Sequence, residues 1–332
     1  MQIAVPDYVT PFSGIGVIQN ELYPRLQAKG FGVRTYLDRQ PESSGALAGA
    51  MAVLNALARP LPPDADVFFG LTSPFPFRVR VPSVGVVHDL RWMRTRSTLG
   101  RLYRGWDLRR TVAHSDVLVT VSQRSASDIR EHLPHAEPRV VYPGPGQYEG
   151  PALSARGSED AQLGRDVLLI GSAHHKRNEL AARVLDLLPS DWYGSVRCIN
   201  VSSETQRLLT ENTDRCEFYT NVSRSELSEL YRKSGFSIQL SVEEGFGLPY
   251  IEAMSAGCIV VAVDQPLTQE LLGDAAVLVQ DGGPQEIAEQ VLSHTHLPSW
   301  EARSTRAAQY SWDAFAEGIV QALEDAIVNS DR

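Results

Sequence analysis

The chain has 332 residues, too many for one comfortable hydrophobic core and suited to two domains of ordinary size. Its composition, 43% hydrophobic and 21% charged, excludes a disordered or fibrous protein, and a net charge of -9 argues against a general nucleic-acid binder. Three cysteines, Cys198, Cys216 and Cys258, cannot all pair and have no metal-type spacing, so they read as small apolar residues in or near strands. No apolar run reaches the roughly 20 residues of a membrane span, and Met1 to Asp7 lacks the pattern of a signal peptide. A reducing cytoplasm is the expected compartment.

Gln2 to Val5 reads as a strand, followed by a loop through Pro11 and Ser13-Gly14-Ile15-Gly16. Ile18, Leu22 and Leu26 then fall at helical spacing up to Gly30, and Val33 to Leu37 is a second strand. This βαβ opening predicts a parallel sheet with helices on its faces. Gly14 and Gly16 fall short of a dinucleotide fingerprint, because Gln19 stands where a third glycine belongs. A small-residue helix is expected over 46–58, a strand over Val67 to Phe69 and a proline-broken loop over 72–82. Asp64-Ala65-Asp66 has the spacing of a metal-binding pair, but it precedes a strand, away from the ligand end of such a sheet, and reads as a solvated turn. Ser83 to Val87 is a buried-type strand with His88-Asp89-Leu90 at its carboxyl end, the ligand end of an α/β sheet.

Seven arginines, at 91, 94, 96, 101, 104, 109 and 110, then crowd together with Trp92, Met93, Tyr103 and Trp106 interleaved. On an acidic chain this patch has two readings: contact with anionic lipid or a lipid diphosphate, or a solvated helix paired with acidic neighbours. Val117 to Val121 is a strand, Ser122 and Ser125 are candidate caps with Ser125 and Asp128 at capping-pair spacing, and a helix runs over 127–133. A strand over 139–142 ends at Pro143-Gly144-Pro145-Gly146, and the polar, unpatterned stretch 147–164 reads as a linker with an exposed hinge.

The second half opens on the buried strand Asp166 to Gly171. The loop 172–178 after it carries His174-His175-Lys176-Arg177-Asn178, a basic pair placed between strand and helix to meet a diphosphate. The adjacent histidines do not face one metal ion. Strands follow at Val196 to Val201 and Cys216 to Thr220, a helix over 223–234, and a short strand over 237–240. Ser241-Val242-Glu243-Glu244-Gly245-Phe246-Gly247-Leu248-Pro249 comes next. Its glycines form a turn and Pro249 suits a first helical residue, so the N–H groups near Phe246 to Leu248 make an anion site flanked by Glu244 and Glu252. Gly257 suits the helix end, Cys258 to Val263 is a strand, 268–272 and 284–293 are helices with a strand over 275–279 between them, and 312–327 is a final amphipathic helix. A diphosphate for the helix end and hydroxyls for the carboxylates together describe a nucleotide sugar.

Glu244 to Glu252, read through Gly257, resembles the Glu-(seven residues)-Glu segment of the retaining family 4 glycosyltransferases (glycosyl transferases group 1), which have the GT-B fold. The resemblance implies an α/β protein of two Rossmann-like domains with parallel sheets facing a central cleft. Expected boundaries are 1–150 for the acceptor-side domain, 151–312 for the nucleotide-sugar domain, and 313–332 for a helix crossing back to the first. It further implies transfer of a hexose with retention, without a metal or other cofactor, to a glycan, lipid-linked or small-molecule acceptor. Glu244 would hold the hexose and stabilise charge at the anomeric carbon, Glu252 the ribose, and Lys176, Arg177 and the N–H groups of Phe246, Gly247 and Leu248 the diphosphate. Gly171 precedes Ser172, where some members carry an arginine, so either Lys176 or Arg177 is left as the main phosphate contact. The loops near Val201-Ser202 and Tyr219 to Val222 match backbone contacts to the nucleobase. Gly14 and Gly16 match a cleft loop near the donor phosphates or acceptor, and His88, with Asp89 and Arg91, lies on the acceptor side in a binding or orienting role. The short loops and the V-x-x-V-H-D-L segment ending at Leu90 lean toward bacterial polysaccharide mannosyl- or rhamnosyltransferases. A sugar-nucleotide epimerase of the same fold and a non-catalytic partner subunit remain as rivals, although the latter usually lacks the carboxylates present here.

Overall fold

The computed structural model describes residues 1–6, 13–36, 54, 56–72, 74–94, 98–148 and 164–330. It divides into two compact units, the first made of Met1–Gly144 with Ser311–Arg332 and the second of Pro145–Tyr310. The break falls inside the Pro143 to Gly146 run, where φ is fixed at alternate positions and no strand or helix can continue.

The first unit is built on a parallel sheet of β1 (Gln2–Val5), β2 (Gly32–Thr35), β3 (Val67–Gly70), β4 (Ser83–Val87), β5 (Val117–Thr120) and β6 (Arg139–Val140), in the order β2-β1-β3-β4-β5-β6. Its inner strands are continuous apolar runs and not alternating ones, as a parallel sheet covered on both faces requires. Helices α1 (Gly14–Ala28), α2 (Thr98–His114) and α3 (Gln123–His132) connect them. The chain's final helix, Trp312–Ser330, packs in this unit and buries Trp312, Phe315, Ile319, Leu323 and Ala326, a stripe at helical spacing. Ion pairs from Arg25 to Asp313 (2.9 Å) and from Arg139 to Asp325 (2.5 Å) fasten its polar side.

The second unit repeats the plan with β7 (Val167–Ile170), β8 (Val196–Ile199), β9 (Cys216–Tyr219), β10 (Phe236–Gln239), β11 (Ile259–Val263) and β12 (Val277–Val279), all parallel, in the order β12-β11-β10-β7-β8-β9. Around it lie α4 (Asn178–Leu187), α5 (Ser203–Asn212), α6 (Arg224–Lys233), α7 (Leu248–Ser255), α8 (Pro266–Leu271), α9 (Pro284–Ser293) and α10 (Trp300–Ala307). Cys198 and Cys258 are buried in the unit and Cys216 is half-buried, all as free thiols. In each sheet the strand order reverses direction once, between β1 and β3 and between β7 and β10. A crevice opens at the carboxyl ends of such a strand pair, because the two connections leave in opposite directions.

Several local expectations are corrected. Gly14 and Gly16 are not in a loop but in the first turn of α1, whose N-cap is Ser13: its hydroxyl accepts from the Gly16 N–H at 3.0 Å. Ser125 does not cap with Asp128; Ser122 is the N-cap, accepting from the Ser125 N–H, while Asp128 pairs with Arg124. Pro249 is the second residue of α7 and not the first. Helices α5 and α10 were not expected, although Ser202 and Ser299 cap them in the ordinary way. Asp64 and Asp66 work in the turn: Asp66 accepts from the Gln2 N–H at 2.7 Å and Asp64 pairs with Arg34 at 3.1 Å. Most of the helix expected over 46–58, residues 7–12 of the first loop, Leu37, Arg96 and 149–163 of the linker lie outside the described residues.

Candidate active site

The second unit's switch point brings two sequence-distant stretches together. The loop after β7 carries Lys176 and Arg177, and the loop after its neighbour β10 carries Glu244. Lys176 Nζ donates to Glu244 Oε1 at 2.6 Å, and His175 Nε2 lies 3.7 Å from the same oxygen. The loop is held tightly. Gly171 takes φ +93°, a conformation that side chains rarely adopt, and Asn178 Nδ2 donates back to the Ile170 and Gly171 carbonyls at 3.2 and 2.5 Å. Arg177 itself is left-handed, at φ 55°, with no glycine to ease it. Among the described residues the other non-glycine positions with positive φ are Asn200 and Asn221, after β8 and β9, and Asn tolerates that region far better than Arg. The strained turn separates the basic pair. Lys176 goes to Glu244, whereas Arg177 Nη1 donates to Asp281 at 2.7 Å and to the Leu240 carbonyl at 3.4 Å.

The second loop ends at Gly247, the N-cap of α7, in the left-handed conformation at φ +78°. Its φ needs a glycine, and a Cβ there would also collide with the Tyr250 ring. Because glycine has no side chain, nothing of the cap residue's own covers the N-terminus of α7. Phe246 turns inward onto Tyr310, ring centroids 5.9 Å apart. Tyr250 is buried with its hydroxyl donating to the Ser241 carbonyl at 3.3 Å. Burial, and secondarily the Glu244 charge, pushes its pKa far up, so it stays neutral.

Glu252 lies one helical face further in and is 6% exposed. Its Oε1 accepts from the Gln147 N–H and its Oε2 from the Tyr231 hydroxyl, each at 2.7 Å, and Gly146 lies directly against the carboxylate. Burial raises its pKa above the usual carboxylate range, partly offset by those two donors and the Lys176 charge. Two of the roughly four acceptor positions of a carboxylate are thus used within the unit. Tyr231, Gln147 and Asp281 were missed in the sequence: none belongs to a motif, and only the fold brings them to the site. Val222 follows Asn221 after β9, two strand spacings or about 10 Å from β7.

In the first unit His88 follows β4, half-buried, with Nε2 on the Leu71 carbonyl at 2.8 Å. A carbonyl accepts, so Nε2 carries the proton and a neutral ring presents Nδ1 as an acceptor. Burial lowers its pKa, against the opposing pull of the Leu71 carbonyl and Asp89. Thr120 and Ser125 hydroxyls hold the Val87 and His88 carbonyls at 2.7 and 2.9 Å, which fixes the strand end. Asp89 and Arg91 pair with each other at 2.9 Å. The N-terminus of α1, with Gly14 exposed and Gly16 buried, follows β1 at the same end of the sheet. No group of three or more potential metal ligands occurs among the described residues.

Residues 201–309 match the family glycosyl transferases group 1. The match covers about a third of the chain and lies within the second unit. The O-antigen chain mannosyltransferase RfbU of Salmonella typhimurium is 32% identical over 131 residues, 37% of this chain and 37% of its own length. The chain thus spans little more than a third of that curated relative. Among solved structures, a sucrose-phosphate synthase from Thermosynechococcus elongatus superposes with a TM-score of 0.72 at 16% identity, covering 97% of this chain and 98% of its own. HepE of Anabaena in complex with UDP and glucose gives 0.62 at 16% identity, covering 100% and 98%. At such identities these neighbours speak to the fold, which is GT-B: two Rossmann-like units, each on a parallel sheet. Within the group 1 match lie Glu244, Phe246, Gly247, Leu248 and Glu252, whereas Lys176 and Arg177 precede it.

Proposed function

We propose that the protein is a retaining, metal-independent glycosyltransferase. It moves a hexose, mannose- or rhamnose-like, from a nucleotide diphosphate sugar to a hydroxyl of a glycan, lipid-linked or small-molecule acceptor. The observation that carries this reading is the contact of Lys176 with Glu244 beside the uncapped start of α7, at the second unit's switch point. A leaving diphosphate needs fixed positive charge where its own negative charge develops; Lys176 and the α7 N–H groups supply it, and Arg177 joins them by leaving Asp281. Glu244, drawn to the same point by Lys176, lies where a sugar on that diphosphate would develop positive charge. Glu252 has acceptor capacity left for ribose hydroxyls, and the Val222 loop offers backbone groups to a base. His88, neutral and held by its Nε2–H, accepts from a sugar hydroxyl. The acceptor's proton leaves with the departing phosphate, and no protein nucleophile is required. The mannosyltransferase relative supports the mannose leaning, and a lipid-linked acceptor would place the reaction at the cytoplasmic surface of a membrane.

Incubation of the whole protein with guanosine, uridine and thymidine diphosphate sugars, with and without chelator, tests the reading. The expected result is release of nucleoside diphosphate from one donor, unaffected by chelator, and a product with the donor's anomeric configuration. Conversion of the donor to a new free sugar with no glycoside formed would favour the epimerase instead, and a chelator-sensitive reaction would overturn metal independence.

A further inference from the structure

Helix α2 has a face that the rest of its unit does not cover. From Thr98 to Arg104 only Gly100 and Tyr103 are even half-buried, so the first two turns stand clear of the core. Leu99 and Leu102 are 80% and 66% exposed there, and Trp106, 40% exposed, continues the line at positions i, i+3 and i+7. Single exposed leucines are ordinary, but a row of them with an indole on one helix face is not.

A neighbouring loop extends the row. Phe77, 48% exposed, meets the Trp106 ring edge-on at 6.4 Å. Arg110 locks loop to helix: its guanidinium donates to the Phe75 carbonyl at 3.2 Å and to the Pro76 carbonyl, and lies 5.0 Å over the Phe77 ring. Beside the ridge an apolar groove of about 360 Å³ runs between Leu102 and Leu133, with Arg101 and Arg109 in its walls.

The stretch that forms this ridge is basic. From Phe77 to Arg110 the chain carries nine arginines against two acids, although as a whole it is acidic. Of those acids, Asp107 is buried and Asp89 is paired with Arg91. Arg101, Arg104 and Arg109 are exposed and make no ion pair among the described residues. Leucine and tryptophan side chains rimmed by unpaired guanidinium groups match the two layers of a bilayer interface, acyl chains below and anionic headgroups above. A protein partner would need a complementary acidic, apolar surface, and a second copy of this chain would set arginine against arginine.

We propose that the α2 face, with the Phe77 loop, is a peripheral docking surface for an anionic lipid bilayer. Leu99, Leu102 and Trp106 enter the interface, while Arg101, Arg104 and Arg109 bind headgroup phosphates. The surface does not depend on the sugar chemistry, so binding is read with no donor or acceptor present.

Co-sedimentation of the full chain with vesicles tests it. The protein should pellet with phosphatidylcholine–phosphatidylglycerol vesicles, remain in solution with phosphatidylcholine alone, and be released as salt rises. Arg101→Gln with Arg104→Gln should lower the partition coefficient on the order of twenty-fold, since each arginine near such a surface contributes about five-fold. Leu99→Ser with Leu102→Ser should lower it as well, and neither pair should change transfer to a water-soluble acceptor. Both pairs are solvent-exposed, so folding is retained and circular dichroism checks it. Equal binding to neutral and anionic vesicles, or arginine variants that pellet like the wild type, would overturn the proposal. So would self-association in sedimentation velocity that the leucine pair abolishes, with no vesicle binding, since that result makes the face a dimer contact.

Discussion

At the switch point of the second unit three charged side chains, Glu244, Lys176 and Arg177, gather on the loops of two neighbouring strands, whereas the corresponding end of the first unit presents neutral groups. There the polar atoms are the His88 ring, the Thr120 and Ser125 hydroxyls that hold its strand end, and the start of α1 behind Ser13. The charged residues nearest to them, Asp89 and Arg91, satisfy each other. The contrast follows the chemistry proposed for each side. A diphosphate carries charge that only fixed charges can match, and it must be matched more strongly as the bond breaks. A sugar hydroxyl is neutral, and a bare ring nitrogen held in place is enough to orient it. Fixed charge at one end and fixed geometry at the other is therefore the division of labour that mutants should break in different ways.

The largest effect is expected on the charged side. Glu244→Ala should lower the transfer rate by about 10²–10³, the scale of losing one preorganised electrostatic group. The fold should survive. Glu244 is 9% and Lys176 22% exposed, so losing the carboxylate leaves a charge that water reaches only in part, and a stability cost of about 1–3 kcal/mol is expected. Initial rates and thermal unfolding of the same preparation check both halves, and wild-type turnover in an intact variant would remove Glu244 from the reaction. A smaller effect is expected on the neutral side. His88→Gln keeps a donor for the Leu71 carbonyl but loses the ring acceptor, and should slow transfer about tenfold. Burial lowers the His88 pKa, so in the wild type the acid limb of kcat/KM should fall below the range of an ordinary histidine. The variant should lack that acid limb. An acid limb that persists in His88→Gln would assign it to another group.

The same asymmetry decided what the sequence could show. Glu244, Gly247 and Glu252 lie within one short stretch whose turn, helix start and helix are fixed by local chemistry, and the structure places them as that chemistry requires. Lys176 and Arg177 were readable as a basic pair between strand and helix. That they face apart, toward Glu244 and Asp281, depends on the left-handed φ of Arg177, which nothing in the sequence announces. Gly14 and Gly16 read as a loop because glycine is a poor helix residue, yet the Ser13 cap was stronger than that preference. The helices α5 and α10 are polar, so little apolar periodicity shows in them and mainly their serine caps mark them. Tyr231 and Gln147 are 21 and 105 residues from Glu252, and only the finished sheet brings them to it.

That long-range contact sets the smallest prediction. Glu252 is buried and its pKa is raised by burial, so the native state holds its proton to higher pH than the unfolded chain does, where a glutamate titrates near 4.3. Between those two pKa values the native state binds more protons than the unfolded state, and stability therefore falls as pH rises through that window. The contribution is fully present below about pH 4.3 and is lost once pH passes the folded pKa. Glu252→Gln cannot ionise, yet its amide can accept the Gln147 N–H and donate to the Tyr231 hydroxyl, which then turns to accept. The variant should thus gain on the wild type as pH is raised from 4 toward 8, a shift of a few degrees in Tm at most. Melting curves of the two proteins across that range measure it. Parallel curves would mean that Glu252 is ionised in both states, with its two donors and Lys176 outweighing burial, and the carboxylate would then belong with the charged group at Glu244.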